Sequence, residues 1–443
     1  MSAMAKAERP AAEVLRPVVR GVIGSDPPFT IRCWDGSVLG PGAAPVSIVI
    51  RSPRALRRLL YHPNEIGLGR AYVAGEIDVE GDVFAALDAR TLVAARDEGL
   101  TLGLGLRGWV AALRAAWELK MLGRPLPAPP EEARLVGRLH TRRRDAAAVS
   151  HHYDVGNDFY RIVLGPTMTY SCAYWSSPDM TLEQAQAAKY DLVARKLGLQ
   201  SGMRVLDIGC GWGSMVLHAA QHYGVQAVGV TVSEQQAQRA RSRAKEAGLD
   251  DRVEIRLQDY RDVDDGPFDA VSSIGMFEHV GLDRLGDYFS TVFNLVRPQG
   301  RFLNHAISRP AGDAPPHSTS FMGRYVFPDG ELHEVGAVVS AMQAHGFEVR
   351  DVESLREHYG VTLRQWVANL EARWDDAQRL AGPARARIWR LYMAGSAVNF
   401  EEGRTSVHQV LAVRVGDDGR TGLPLTRSWL EGQASDGRLR RLA

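Results

Sequence analysis

The sequence predicts an α/β fold, in which a parallel sheet carries helices on both faces and follows a smaller amino-terminal α+β domain. Three observations support this prediction. The stretch VLDIGCGWGS at 205–214 has the pattern of a strand, a glycine-rich turn and a helix. Apolar runs of strand length then alternate with helical stretches, which is typical of parallel sheets. The length of 443 residues favours two domains over one.

The glycine-rich turn lies at the centre of the predicted sheet. Gly209, Gly211 and Gly213 lack Cβ atoms, so the backbone can bend sharply and approach a ligand. The helix that follows presents unpaired N–H groups at its start. Asp207 lies in an otherwise apolar strand, where an unpaired carboxylate is costly, so we expect it to anchor the loop or a ligand's ammonium group. The turn therefore predicts a site for a nucleotide-like ligand.

The elements before the turn form the predicted amino-terminal domain, residues 1–125. Residues 1–20 are Ala-rich and charged and are expected to be frayed or helical. Alternating apolar residues between 21 and 82, with Gly and Pro, indicate a mostly β or α+β unit with a helix at 52–61. A proline-rich and then arginine-rich linker is predicted at 126–150.

The stretch 106–124 has large apolar residues at helical spacing beside Arg107, Arg114, Lys120 and Arg124. The apolar residues of this stretch are Leu106, Trp109, Val110, Leu113, Trp117 and Met121. This pattern favours either a helix packed on its own domain or an amphipathic helix at a lipid surface. The sequence leaves both interpretations open.

The predicted catalytic domain spans 151–415 and is followed by a polar tail at 416–443. TLEQ at 181–184 is a capping box that predicts a helix through Leu197. Beyond 205–208, strands are predicted at QAVGVTV (226–232), VEIRL (253–257), FDAVSSI (268–274), RFLNHAI (301–307), FEVRDVES (347–354) and HQVLAVRV (408–415). Ligands are expected at the carboxyl ends of the strands.

Charge and cysteine content exclude several classes of protein. The 53 basic and 52 acidic residues argue against a nucleic-acid binder with a dominant basic field. Residues 1–145 carry 21 basic and 16 acidic side chains, an excess of positive charge that favours a domain facing anionic lipid. Three cysteines are too few for a disulfide framework, no signal peptide is recognisable, and no uncharged run is long enough to span a bilayer. We therefore expect a cytoplasmic protein with peripheral contact at the inner face of the cytoplasmic membrane.

Seven motifs in order resemble the S-adenosylmethionine-dependent methyltransferases, and within them the cyclopropane fatty acid synthase family. They are HYDVGNDFY (152–160), TYSCAYW (169–175), VLDIGCGWG (205–213), GVTVSEQQ (229–236), GMFEHVG (275–281), FLNHAI (302–307) and HYGVTLRQW (358–366). The resemblance covers about residues 150–415 and implies a Rossmann-like methyltransferase sheet. AYVAGEIDVEGD (71–82) is similar to the amino-terminal domain of the longer bacterial members, which is associated with lipid engagement.

The resemblance implies transfer of a methyl-derived carbon from S-adenosylmethionine to the cis double bond of an unsaturated acyl chain in a membrane phospholipid. The carbocation that forms needs a dry site and a base, and in the family bound bicarbonate is that base. Its expected holders are Cys172, Glu278, His305, the backbone of Ile307, and Tyr359. Taken singly, a buried cysteine is more often a small hydrophobe, and a lone histidine more often satisfies the core. The spacing of His279 and His305 does not suit a metal chelate, so no metal is expected.

The resemblance also implies residues for the donor. Gly209 and Gly211 are expected to make backbone contacts, and Asp207 lies beside them. The other expected donor-binding residues are Tyr170 and Ser171 at the amino-acid end, Thr231, Ser233 and Gln236 near the ribose, and Gln258 and Asp259 at the adenine. Gln258 departs from the tryptophan of some relatives, which affects the adenine packing alone.

Two further questions stay open at this level. The product is either a cyclopropane or a methylene, the precursor of a methyl branch, and a methylene product implies a partner reductase. YHPNEIGLGRAYVAGEIDVEGD (61–82) is similar to actinobacterial members linked with branched stearate synthesis such as 10-methylene stearate, which favours the methylene. The alternative function is methylation of oxygen or nitrogen on a small soluble molecule. Two domains and a basic surface are compatible with a homo-oligomer.

Overall fold

The computed structural model describes residues 9–23, 25–94, 105–133, 141–142, 144, 155–313 and 320–427. It divides the chain into two compact units that do not follow chain order. The first unit is Met1–Arg134 with His317–Pro328 and Trp374–Val398, and the second is Leu135–Pro316 with Asp329–Arg373 and Asn399–Ala443. Two segments of the range predicted for the catalytic domain thus belong to the unit that holds the amino-terminal residues. The predicted linker at 126–150 lies largely outside the described residues, as do positions 428–443 of the tail.

The first unit has a four-stranded sheet with helices packed against it. Its strands are β1 (Thr30–Arg32), β2 (Val38–Leu39), β3 (Val46–Ile50) and β4 (Ile77–Gly81), in the order β2-β1-β3-β4. Its helices are α1 (Ala11–Ile23), α2 (Arg54–Tyr61), α3 (Glu65–Val73), α4 (Val83–Ala94), α5 (Leu106–Glu118), α11 (Phe321–Tyr325), α14 (Trp374–Ala381) and the part of α15 (Pro383–Glu401) up to Val398. The predicted α+β character and the helix near 52–61 are confirmed. Residues Ala71–Val73, for which the sequence pattern predicts no separate element, end α3, whose first turn is capped by Asn64.

Helix α5 packs through its small residues. Ala115 and Ala116 are buried, and the helix contacts α1. Its large apolar side chains lie on another face and are exposed, with 84% of Leu106, 61% of Val110, 52% of Leu113 and 72% of Trp117 accessible to solvent. Packing within the domain therefore does not account for this apolar face. None of the described helices is long and apolar enough to cross a membrane.

The second unit has a large, mostly parallel sheet. Its strands are β5 (Arg204–Ile208), β6 (Gln226–Thr231), β7 (Val253–Leu257), β8 (Phe268–Ile274), β9 (Val296–Arg309), β10 (His333–Glu334), β11 (Phe347–Ser354) and β12 (Ser406–Arg414). The order is β11-β12-β9-β8-β5-β6-β7, and β10 pairs with β9. Strands β5 to β9 are parallel to one another, but β12 lies antiparallel between β9 and β11. The sheet is therefore not parallel throughout, because β12 enters it from a long helical excursion rather than a βα crossover.

Helices cover both faces of this sheet, as the sequence predicts. They are α6 (Asn157–Leu164), α7 (Leu182–Leu197), α8 (Ser214–Tyr223), α9 (Glu234–Glu246), α10 (Leu285–Leu295), α12 (Val335–Ala344) and α13 (Arg356–Ala372). Val205 belongs to the buried cluster under α7, α8 and α9, whereas its neighbour Leu206 belongs to the cluster under α10 and α12. The predicted capping box of α7 is present, with Thr181 and Gln184 bonding each other's backbone N–H groups.

Candidate active site

A cavity lies at the carboxyl ends of β5, β6, β7 and β8, where a parallel sheet usually binds its ligand. It holds about 1250 Å³ of empty space, mouth included. Nine of the ten residues predicted to bind the donor contribute to its wall: Tyr170, Ser171, Asp207, Gly209, Gly211, Thr231, Gln236, Gln258 and Asp259. The fold therefore brings separate segments of the sequence together at one site. Their contacts with a donor stay predictions.

The glycine-rich turn forms the floor of this cavity. Gly209 has φ +76° and donates from its N–H to the carbonyl of Val230 at 3.0 Å. A Cβ built on Gly209 would lie 2.7 Å from the Cβ of Met276, which also lines the cavity. Both the left-handed backbone and this close approach require glycine. Gly213, at φ +82°, then starts helix α8.

Ser233 is the predicted donor-binding residue that does not line the cavity. Its hydroxyl caps α9 by accepting from the N–H of Gln236, and its own N–H donates to Thr231 Oγ1 at 3.2 Å. The Thr231 hydroxyl in turn donates to Gln236 Oε1 at 2.8 Å. Ser233 thus orients the two side chains that do face the cavity, because a helix cap fixes the first turn of the helix.

Gln258 and Asp259, the two residues predicted to meet the adenine, already have hydrogen-bond partners in the protein. Asp259 already binds the guanidinium of Arg261, with Nε at 2.8 Å and Nη2 at 2.6 Å from its oxygens. Burial of Asp259 raises its pKa, but the hydrogen bonds from Arg261 outweigh that effect and lower it, so the carboxylate stays ionised. Gln258 donates to the carbonyl of Asp262 at 2.7 Å. An ionised carboxylate has lone pairs for a further donor, so these contacts do not exclude an adenine amino group.

The cavity wall also contains a buried acidic and a buried basic side chain, Asp207 and Lys189. Asp207 accepts from the Ser272 hydroxyl at 2.7 Å, and burial raises its pKa to about 6. Lys189, on α7, is fully buried and donates to Ser171 Oγ at 3.0 Å. Burial lowers the pKa of Lys189 to about 7, and the nearby Asp207 opposes that change.

The sequence reasoning missed Lys189, although the pattern of α7 contains it. Leu182, Ala185, Lys189 and Val193 recur at intervals of three and four on the buried face of the helix. A lysine on the apolar face of an amphipathic helix is rarely buried without a partner. The position of Lys189 in that pattern is therefore the sequence feature that could have identified it as a candidate site residue.

A second polar group lies behind the cavity, at the ends of β8 and β9. Glu278 follows β8, and its Oε1 accepts from the N–H of Ile307 at 2.8 Å. Its other oxygen, Oε2, is buried with no hydrogen-bond partner, and burial raises the pKa of this carboxyl to about 7. His305 is buried on β9, and neither ring nitrogen has a hydrogen-bond partner among the described residues. Burial lowers the pKa of His305 well below its usual range, so the ring is neutral.

Cys172 and Tyr359 lie on the far side of this group. The Cys172 thiol is buried beside the carbonyl of Leu355, 3.6 Å from it, and the N–H of Tyr359 donates to the same carbonyl at 3.1 Å. Burial raises the pKa of the Cys172 thiol, which therefore stays protonated. The N–H of Leu355 donates to Val407, which pairs with Ile307 across β12 and β9. Hydrogen bonds and strand pairing through Leu355 and Val407 thus connect Cys172, Tyr359, Ile307 and Glu278, and His305 lies two residues before Ile307 on β9.

These five residues do not themselves line the cavity, but residues close to Cys172 and Glu278 in the sequence do. Ser171 directly precedes Cys172, His279 directly follows Glu278, and Met276 lies two residues before Glu278. The N–H of Gly275, another wall residue, donates to the carbonyl of His305 at 2.9 Å. Cys172, Glu278 and His305 therefore lie next to residues of the cavity wall, in sequence or through a backbone hydrogen bond.

The sequence of this chain is similar to those of known proteins over most of its length. The sequence profile described as "Mycolic acid cyclopropane synthetase" matches residues 140–410. A probable fatty acid methyltransferase of Mycobacterium tuberculosis is 41% identical over 91% of this chain and 95% of its own length. The cyclopropane-fatty-acyl-phospholipid synthase of Escherichia coli K12 is 34% identical over 85% of this chain and 90% of its own.

Solved structures show the same fold. A crystal structure of a mycolic acid cyclopropane synthase complexed with SAH and CTAB has a TM-score of 0.57 at 36% identity, covering 60% of this chain and 97% of that one. The cyclopropane synthase MmaA2 from Mycobacterium tuberculosis gives 0.58 at 34% identity, covering 62% and 99%. The matched profile covers more than half of the residues, and the relatives extend over almost the whole chain. This chain belongs to the mycolic acid cyclopropane synthetase family.

Proposed function

We propose that this S-adenosylmethionine-dependent methyltransferase adds a methyl-derived carbon to the cis double bond of an unsaturated acyl chain in a membrane phospholipid. The observation that carries the proposal is the pair of buried groups on Glu278 and His305 without a hydrogen-bond partner among the described residues, which lie next to the cavity-wall residues His279 and Gly275. A methyltransferase that acts on oxygen or nitrogen needs no such pair. Alkene methylation does, because the cation it produces must lose a proton in a dry site.

The residues around this pair suit a bound bicarbonate. His305 offers one ring N–H and one lone pair, and a protonated Glu278 offers an O–H from Oε2. Unpartnered buried polar atoms are rare in folded proteins, so a small polar occupant is the simplest way to satisfy both. Cys172, Tyr359 and the backbone of Ile307 complete the proposed set. When bound, bicarbonate would supply the base that accepts the proton.

Aromatic side chains surround the proposed set. The ring of Tyr359 lies 4.6 Å from that of Phe400 and 6.0 Å from that of Trp366, measured between centroids. Tyr170, in the cavity wall, lies 5.4 Å from Trp366. Aromatic faces attract cations and exclude water. We infer that this wall stabilises the cationic stage and protects it from hydration.

The cation has two outcomes, which differ in one step. Loss of a proton from the added methyl group closes a three-membered ring between that carbon and the cationic carbon. A hydride shift to the cationic carbon before the same loss gives an exocyclic methylene, which a partner reductase would convert to a methyl branch. On sequence resemblance we favour the methylene.

The reaction can be tested with the purified chain, S-adenosylmethionine and vesicles of an oleoyl phospholipid. We expect the acyl chain to gain one CH₂ unit, detected by mass spectrometry. Mild hydrogenation then distinguishes the products, because a methylene takes up hydrogen and a cyclopropane does not. Vesicle lipids of unchanged mass, with a protein that binds S-adenosylhomocysteine, would contradict the proposed acceptor while leaving the donor site intact.

We propose that the exposed face of α5 makes the peripheral membrane contact. Leu106, Val110, Leu113 and Trp117 form a stripe at intervals of four, three and four residues. Arg114, which is 75% exposed, pairs with Glu118, and Arg107 is also exposed. A helix with tryptophan and leucine on one face and basic residues beside it is typical of the bilayer interface. An acyl substrate gives this surface a lipid partner.

The double substitution of Leu113→Glu and Trp117→Glu should lower binding to anionic oleoyl vesicles by roughly tenfold or more, because it puts charge in place of exposed apolar area that would become buried at the headgroup boundary on binding. Co-sedimentation measures the bound fraction. Val38→Glu is the matched control, because Val38 is also exposed and apolar in the same unit but lies on β2. Unchanged binding would contradict the lipid contact, and a variant that only dissociates an oligomer in size-exclusion chromatography would assign the stripe to a second copy.

A further inference from the structure

Lys189 is a buried charge in the cavity wall for which the proposed reaction has no role. Its side chain is 0% exposed, and its Nζ lies 3.0 Å from Ser171 Oγ and 3.5 Å from the centre of the Tyr190 ring. An ammonium group has three N–H donors, and Ser171 accepts from one of them. The tyrosine face partly satisfies another. Lys189, which lines the cavity, therefore keeps an N–H group that can donate a hydrogen bond to a ligand.

A second buried lysine on α7, Lys196, has a different environment from that of Lys189. Lys196, seven residues later, is also 0% exposed, but its Nζ pairs with Asp351 at 3.1 Å and with Glu353 at 2.5 Å. Lys196 does not contribute to the cavity wall, and two carboxylates neutralise its charge. Lys189 instead lies in the wall with the hydroxyl of Ser171 as its hydrogen-bond acceptor. A buried ammonium without a paired carboxylate is costly unless a ligand supplies the anion.

The methyl donor carries groups that match this end of the cavity. The amino-acid part of S-adenosylmethionine has a carboxylate and an ammonium group on one carbon. Lys189 and Asp207 both line the cavity, and each is destabilised in its charged form by burial. A ligand that brings a negative charge to Lys189 and a positive charge to Asp207 would stabilise the charged form of each side chain. The adenine-binding candidates Gln258 and Asp259 follow β7, which is separated from β5 by β6, so the two ends of the donor have separate partners.

We propose that Lys189 binds the α-carboxylate of the methyl donor, with Ser171 holding the ammonium group of the lysine in place. The inference rests on the use of S-adenosylmethionine described above and adds a specificity-determining residue to that site. It predicts that the enzyme distinguishes a donor with its carboxylate from one without it, and that this preference depends on Lys189.

The test compares two ligands in isothermal titration calorimetry. One is S-adenosylhomocysteine, and the other is its decarboxylated form, which keeps the amine and lacks only the carboxylate. Lys189→Met should lower the affinity for S-adenosylhomocysteine by roughly 10- to 100-fold, as expected for the loss of a buried hydrogen bond between charged groups. The same substitution should change the affinity of the decarboxylated ligand by less than about threefold, because that ligand has no group for Lys189 to bind.

Two controls separate this role from folding and from the donor site itself. Lys196→Met removes a buried lysine from the same helix and should leave the ratio of the two affinities unchanged. Lys189→Gln, which keeps a donor without the charge, provides a second variant if the methionine variant unfolds in circular dichroism. If Lys189→Met lowered the affinity for both ligands equally, or for neither, the assignment of Lys189 to the carboxylate would be overturned. Failure of the unsubstituted chain to bind S-adenosylhomocysteine would instead contradict the donor site.

Discussion

Glu278→Gln is expected to lower product formation by roughly 10²- to 10⁴-fold, the usual contribution of a positioned acid or base. The amide can still accept from the N–H of Ile307, so the local backbone should be retained. It cannot supply the carboxyl O–H that Glu278 presents from its unpartnered oxygen. Initial rates with oleoyl vesicles measure the effect, and binding of S-adenosylhomocysteine should be unchanged. Full activity of this variant would remove Glu278 from the mechanism.

The same substitution should stabilise the protein at high pH. Burial raises the pKa of Glu278 from 4.5 to about 7, so the folded state binds its proton more tightly than the unfolded state does. The wild type therefore loses stability as pH rises from 4.5 through about 7, by roughly 3 kcal/mol at 1.36 kcal/mol for each pKa unit. Glutamine has no proton to lose. The difference in free energy of unfolding between variant and wild type should grow from pH 5 to pH 8 in urea titrations.

A control with the opposite sign is available in the first unit. Hydrogen bonds from Arg70 lower the pKa of Glu132 despite the opposing effect of its burial. Glu132 therefore contributes stability above its unfolded pKa, and that contribution is lost as pH falls. Glu132→Gln should lower stability at pH 7. A pH-independent difference for Glu278→Gln would contradict the raised pKa of Glu278.

Gly209→Ala should lower the affinity for S-adenosylhomocysteine by about 100-fold, because two costs coincide at this position. The left-handed backbone costs an L-residue about 1 to 2 kcal/mol. In addition, the new Cβ would lie 2.7 Å from the Cβ of Met276 and 2.9 Å from its Cγ, so this part of the cavity wall must move. Calorimetric titration measures the affinity.

Gly202→Ala is the control, because it imposes the cost of the left-handed backbone without the close contact of a new Cβ. Gly202 also has a positive φ, +86°, but nothing lies within 4 Å of the position that a Cβ would take there, and it is not part of the cavity wall. It should lower the melting temperature and leave the affinity for S-adenosylhomocysteine unchanged. Equal affinity in the two variants would mean that the turn does not contact the donor.

Local patterns predicted the elements that hold the donor cavity. The strand of 205–208, its glycines and the helix after them depend on neighbours within a few residues, and the structure has them as β5, the turn and α8. The capping box at Thr181 is also a local interaction, which is why α7 begins at the predicted residue. Short-range rules were sufficient here.

Long-range placement was harder to predict. Strand β12 contains a continuous apolar run, Val410–Val413, which is typical of a buried strand, and nothing in it specifies insertion between β9 and β11. The contact between Cys172 and Leu355 joins residues 183 positions apart, so spacing alone does not predict it. The resemblance to a known family supplied that grouping. The ammonium group of Lys189 contacts Ser171 and the ring of Tyr190. The contact with Ser171 depends on how α7 packs in the folded protein, so the sequence pattern alone does not predict how many N–H groups of Lys189 remain for a ligand.

The exposed stripe of α5 shows a different limit. The pattern at 106–124 predicts an amphipathic helix equally well whether its apolar face is buried in the domain or exposed. Only the packed structure shows that Ala115 and Ala116 make the internal contact and that Leu113 and Trp117 do not. The periodicity therefore predicted the helix correctly and left its partner undecided.

Mass spectrometry of phospholipids from cells that express this chain tests the central claim most directly. With the wild type, unsaturated acyl chains should be replaced by chains one CH₂ unit heavier, and with Glu278→Gln they should remain unmodified at equal protein level. Unmodified acyl chains with the wild type, together with transfer of the labelled methyl group to oxygen or nitrogen of a small soluble molecule, would contradict the claim.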